Sequence, residues 1–315
     1  MSSAQHLILP YAHAPGWAVG PGTAAGELPT LRRLLARLQP GPLQTGDAQD
    51  LSPPHERALA QALGLPASDG AIPWAAWELA QEGQAPGHEA WAWITPCHWH
   101  VAQDHILMYP VDPLQLDEAA SRTLLAAIAP YFHEDGIALD FVAPTRWRAR
   151  GAVFRDLACA SLDRVVGRRV DDWLPRAAAA RPLRRLQQEM QMLLYTHPVN
   201  AAREDAGLSP INSFWVSGAG ALEPVPAAAP SLQVDPRLRA SALAGRADEW
   251  AAQWRALDTE VLPDLLKTLD AAQPIALTLC GERHARTWST PSHPGWQRVI
   301  RLLRPPSVAK ALEDL

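Results

Sequence analysis

The segment 195–220, YTHPVNAAREDAGLSPINSFWVSGAG, constrains this chain more than any other stretch. It holds His197-Pro198, Asn200, Arg203, Gly207, Asn212, Trp215 and a closing Gly218-x-Gly220. Proline starts or stops helices, glycine opens backbone conformations closed to other residues, and asparagine turns the chain through its own side chain. So dense a set specifies one backbone path. Two readings of Asn200 and Asn212 follow: contacts to a ligand, or caps of turns beside Pro198 and Pro210. Arg203 is the first candidate for an anion contact, because a guanidinium presents a rigid fork of donors to carboxylate or phosphate. Gly218 and Gly220 admit close packing or an amide cradle for an anion. Trp215 is read as core.

Around that segment the patterning alternates between strands and helices. Residues 7–11, LILPY, read as a buried strand, followed by a helix capped by Thr30 and stopped at Pro40-Gly41. A second helix starts at Ser52-Pro53, and 84–87 reads as a linker. Residues 90–95, 99–102 and 105–109 have strand character with a hairpin turn at Gln103-Asp104. Asp117 caps a helix, 137–142 returns as a strand, and Pro182 opens a further helix. A Pro/Ala-rich connection follows Gly220, then an amphipathic pattern over 247–269 kinked near Pro263, and a strand at 274–280. The reading is α/β, with a core in two parts, 1–86 and 209–315, and an inserted α+β lobe at 87–208.

With 315 residues, 48% of them hydrophobic, the chain can bury a sizeable core. No run of about 18 apolar residues occurs, and the first 14 residues lack a basic stretch followed by an apolar one, so the expected location is cytoplasmic without membrane contact. Cys97, Cys159 and Cys280 are widely spaced, which fits a reducing compartment. The net charge is −5, yet residues 146–203 carry 12 Arg against 5 acids, a local +7. Such a segment suggests an anionic ligand or a solvated basic face, and it lacks any nucleic-acid reading motif.

The segment 195–220 resembles the archaeal-type cofactor-independent phosphoglycerate mutases of the alkaline phosphatase superfamily, whose pattern runs roughly HPxNxxRxxxGxxxANxxWxWGxG. Here it reads His197-Pro198, Asn200, Arg203, Gly207, Asn212, Trp215 and Gly218-x-Gly220, with Ile211 and Ser217 as departures. Residues 28–38, 97–109, 161–175 and 277–284 are similar to further segments of that family. The chain also resembles the RpfE-type regulatory proteins of proteobacteria. The resemblance implies an alkaline phosphatase-like core sheet flanked by helices with an inserted smaller lobe. It also implies that Arg164, Arg168, Arg169 and Arg203, with Asn200 and Asn212, bind a small anionic metabolite.

Two-metal phosphoryl transfer requires clustered carboxylates and imidazoles, because the metals activate the nucleophile and neutralise the transferring group. The resemblance places an Asp after the first strand and Asp-His after the last; this chain has Leu9-Pro10-Tyr11-Ala12 and Cys280-Gly281. The expectation is a degenerate relative with no cofactor and no catalytic residue assigned. It would bind a small anion or an unidentified protein partner in a regulatory role. The alternative is an active mutase or phosphatase holding manganese or zinc through relocated ligands, with His13, Glu282 and His284 as candidates and Ser161 or Ser217 as the nucleophile. Cys97-His98-Trp99-His100 with Asp104 and His105 offers a second arrangement, a zinc site on a hairpin or simply solvated imidazoles. Trp74 and Trp77, outside clear core patterns, point to a third class, an interaction module.

Overall fold

The computed structural model describes residues 4–226, 231–291 and 306–315. In chain order it runs β1 (Gln5–Leu9), α1 (Pro29–Arg37), β2 (Gln39–Gln44), α2 (Pro54–Leu63), α3 (Trp74–Gln81), β3 (Trp91–Cys97), β4 (Trp99–Val101) and β5 (Ile106–Met108). Then come α4 (Glu118–Glu134), β6 (Ala138–Ala143), β7 (Arg146–Arg150), α5 (Leu162–Val165), α6 (Arg181–Tyr195), α7 (Pro198–Asp205) and β8 (Ser213–Gly220). The described chain finishes with β9 (Leu232–Val234), α8 (Arg237–Leu243), α9 (Ala247–Ala256), α10 (Leu262–Asp270), β10 (Ile275–Cys280), β11 (Ala285–Ser289) and a last helix, Val308–Glu313. Residues 227–230 of the expected Pro/Ala connection lie outside the described residues.

Two compact units result. The first comprises Met1–Gln49, Pro53–Leu63 and Ala229–Leu315, the second Asp50–Ser52 and Gly64–Ala228. The boundaries expected at 86/87 and 208/209 thus fall elsewhere: β8 pairs antiparallel with β3 inside the second unit, so 195–220 never returns to the first.

The first unit is a mixed sheet of order β2-β11-β10-β1-β9, with β1 parallel to both β9 and β10. Its central strands, β1 and β10, bury side chains on both faces. Leu7 and Leu9 join Leu277 and Leu279 in a core with α1, α9 and α10, whereas Ile8 and Cys280 meet Ala58 of α2 on the opposite face. That two-sided alternation is what a helix-flanked sheet demands of its central strands. Pro40 and Pro42 lie on β2, an edge strand, where proline costs no shared ladder bond.

Thr30 does not cap α1. It lies inside the first turn, and its backbone N–H and that of Leu31 donate to the carboxylate of Asp258, at 3.1 and 2.7 Å. Asp258 is buried in a π-turn, Leu257–Val261, between α9 and α10, so the kink expected near Pro263 begins one turn earlier and delivers this cap.

The second unit is built on an antiparallel sheet of order β6-β7-β3-β8. One face, with Ala92, Ile94, Trp147, Phe214 and Val216, packs on α4 and α6 through Ile128, Phe132, Leu186 and Met190. On the other face Trp93 lies opposite Arg148, and Arg146 stacks over its ring at 3.8 Å. Helix α3 shares this face. Glu78 and Glu82 accept from Arg146 and Arg148, each at 2.6 Å. Gly218, at φ +59°, leaves no room for a Cβ, which would stand 2.9 Å from Trp74 Cβ; one on Gly220 would meet Pro73 at the same distance. The Gly-x-Gly element therefore serves the close approach of α3 to β8. Trp74 and Trp77 are half-buried and meet edge to face.

Candidate functional site

Two loci contain the residues singled out above. In the second unit they gather around the β4–β5 hairpin. Its backbone receives the loop after α5: Gly167 N–H donates to Met108 O at 2.8 Å, and Leu107 bridges Arg169. Arg168 is half-buried and lies 5.9 Å from the Trp173 ring, and Arg169 is exposed. Asn212 anchors the other side, accepting from Trp99 N–H at 2.7 Å and donating to Trp99 O at 2.9 Å.

His98 Nδ1 lies 2.8 Å from Pro210 O. A carbonyl only accepts, so Nδ1 carries the proton and Nε2 is the acceptor of the neutral ring. Tyr109 contacts both imidazoles, His98 edge-on at 4.9 Å and His100 stacked at 5.4 Å. Burial holds His98 below the usual imidazole range, the bond to Pro210 opposes this, and nearby His100 and Arg203 lower it further. His105 instead pairs with Asp104 at 2.6 Å, and that hydrogen bond, with the charges of His105 and Arg169, holds the exposed carboxyl low. His98 and His100 thus share Tyr109, whereas His105 pairs with Asp104.

Arg203 and Asn200 are buried. Arg203 Nε donates to Ser209 O at 3.0 Å and a terminal nitrogen donates to Leu114 O. Asn200 donates to Leu194 O and Ile211 O at 2.9 and 2.8 Å and accepts from Ile211 N–H at 2.8 Å. For Asn200 and Asn212 the turn-forming reading therefore describes the contacts, and Arg203 supplies charge from beneath the surface. Arg164 is buried as well, whereas Ser161 accepts from Asp163 N–H as the cap of α5.

Part of the local +7 is answered by acids outside 146–203. Besides Arg146 and Arg148, Arg185 pairs with Asp135 at 2.6 Å. Arg184 donates to Pro175 O at 2.5 Å.

The second locus lies at the C-terminal ends of β1 and β10 in the first unit, where ligands collect in open α/β sheets. Tyr11, at φ +54°, begins the exit of β1. Its carbonyl accepts from the Trp250 indole at 2.8 Å, and that of Ala12 accepts from Trp254 at 3.2 Å. After β10, Gly281 N–H donates to His284 O and His284 N–H to Leu315 O, both at 2.8 Å. A Cβ on Gly281 would lie 2.5 Å from Leu315 O. His284 Nδ1 accepts from Gly46 N–H at 3.1 Å, and the Cys280 thiol is wholly buried and pushed far up by burial. It stays protonated and is a poor metal ligand.

His13 is close enough to Glu282 and Glu313 to feel both charges, yet burial still lowers its proton affinity. Among the described residues, no group of three or more His, Cys, Asp or Glu is placed to hold a metal ion. These residues do not fit the two-metal centre that the family resemblance implies. Nor, among the described residues, is any helix long and apolar enough to cross a membrane.

No protein-family model matches this chain. Over 74 residues it is 35% identical to a 2,3-bisphosphoglycerate-independent phosphoglycerate mutase from Methanothrix thermoacetophila, a match covering 24% of this chain and 19% of that protein. The matched stretch thus spans about a fifth of the curated relative's length. Among solved structures, the cofactor-independent phosphoglycerate mutase from Thermoplasma acidophilum aligns at 14% identity over 93% of this chain and 91% of that one, TM-score 0.37. The PH0037 protein from Pyrococcus horikoshii aligns at 11% identity over 92% and 88%, TM-score 0.46.

Proposed function

We propose that this chain is a phosphoglycerate mutase-like cytoplasmic protein of the RpfE-type regulatory kind. It binds a small anionic metabolite at the basic, aromatic hairpin of its second unit and signals to a protein partner, without two-metal phosphoryl transfer. The observation that carries this reading is the filling of the β1 and β10 exits. Indoles hold the carbonyls of Tyr11 and Ala12, and the Leu315 backbone occupies the space beside Gly281. Support for the anion comes from exposed Arg169, half-buried Arg168 and the charge of Arg203 beside His98.

An assay of 2- and 3-phosphoglycerate interconversion with added manganese or zinc, combined with metal analysis, tests the proposal. Expected are no stoichiometric metal and no chelator-sensitive turnover. Bound metal at about one or two ions per chain together with turnover abolished by chelation overturns it. One observation favours a second reading, an active enzyme with relocated ligands: His13 stands near Glu282 and Glu313. Substituting His13→Ala separates the two, because it removes activity only in the second.

A further inference from the structure

The first unit contains a cavity of about 300 Å³ beside the β1 exit, lined among others by His13, Trp17, Trp250, Leu312 and Glu313. The rings of Trp17 and Trp250 meet at 5.6 Å and 59°, making an aromatic corner. Trp250 is fixed in that orientation, since its indole N–H is committed to Tyr11 O and the ring is 1% exposed. Half-buried Trp17 supplies the outer wall.

The charge acting at this cavity is weighted to the negative side: Glu313 and Glu282 act on His13 more strongly than the nearby Arg283 does. Among the described lining residues neither Arg nor Lys occurs, and Glu313 brings a carboxylate. His13 also lines the cavity, and its ring nitrogens offer hydrogen bonds to a polar group of a ligand. An indole face carries negative quadrupolar potential, which attracts a cation and repels an anion. The apolar remainder, Leu312 with Ala12 and Val19, suits methyl or methylene groups rather than a hydrated metal ion.

We propose that this cavity binds a small organic cation, an ammonium group on a compact apolar body, seated against the half-buried Trp17, with the buried Trp250 behind it and Glu313 as counter-charge. The site lies wholly in the first unit and uses none of the residues invoked for the anion.

Titration of the full chain with choline, and with its uncharged tert-butyl isostere, tests this by calorimetry and tryptophan fluorescence. Choline saturates, and the isostere binds at least about tenfold more weakly. Glu313→Gln, at an exposed position that leaves the fold intact, weakens choline roughly five- to tenfold without changing the isostere. Trp17→Ala weakens both ligands, and Trp17→Phe restores part of the loss. Absence of saturation by choline, equal binding of the isostere, or an unchanged choline affinity in Glu313→Gln overturns the proposal. Sulfate titrated into the same protein reports on the anion reading separately.

Discussion

The strand ends of the first unit and the hairpin of the second use the same residue types to opposite ends. At the β1 exit two tryptophans are buried, 1% and 0% exposed, and their indoles hold backbone carbonyls. At the hairpin Tyr109 is 38% exposed and lies between two imidazoles. Burial, rather than residue type, therefore separates the two places. Among the described residues, indoles and the Leu315 backbone fill much of the space at the β1 and β10 ends, and Arg168 and Arg169 stand beside the hairpin of the antiparallel unit.

The largest expected effect tests the filled end. Trp254→Ala removes a wholly buried ring and orphans the Ala12 carbonyl, so unfolding free energy should fall by about 3–5 kcal/mol. Tyr109→Ala on the hairpin should cost less than about 1 kcal/mol. Urea denaturation measures both. Similar losses in the two variants would erase the contrast between a structural end and a surface one.

A smaller contrast lies within the second unit, between the two arginines that sequence treats alike. Arg203→Met strips donors from the buried carbonyls of Ser209 and Leu114 and should cost roughly 1–3 kcal/mol. Arg169→Met, at an exposed position, should stay within about 0.5 kcal/mol in stability yet abolish most of the thermal shift produced by sulfate. If Arg169→Met responds to sulfate like the parent protein, the hairpin is not the anion site.

The same contrast explains what was legible beforehand. The apolar run at 7–11, Asp117 before α4 and Pro182 at the start of α6 are local signals, and each points to its element. Strand β2 was read as a helix stop because Pro40-Gly41 says turn in isolation; only its place at a sheet edge makes it a strand. The cap of α1 comes from Asp258, 228 residues beyond Thr30, through a π-turn that no local pattern announces. For the site, the excess of Arg in 146–203 overstated the free positive charge, since Glu78, Glu82 and Asp135 lie outside the counted window. Asn200, Asn212 and the glycines stand out in the sequence, but whether such residues shape backbone or touch ligand depends on burial, which the motif does not encode.

The smallest expected effect concerns His98 and sharpens the assignment of the hairpin. Burial, His100 and Arg203 depress its folded pKa, so the folded protein binds fewer protons than the unfolded chain below about pH 6.5. Its contribution to stability is therefore complete above that pH and lost as the pH falls through it towards the folded value. Stability alone does not identify the residue, because burial shifts His6 and His13 in the same direction. Binding does. An anion beside His98 offsets the charges of Arg203 and His100 and raises the imidazole pKa, so sulfate should bind more tightly from about pH 7.5 down to about pH 5.5, with uptake of up to about one proton. Calorimetry in buffers of different ionisation enthalpy reads that proton directly. His98→Gln keeps a donor for Pro210 O without a titrating ring and should flatten the profile. Proton uptake unchanged in that variant would move the anion away from His98 and leave the hairpin as scaffold.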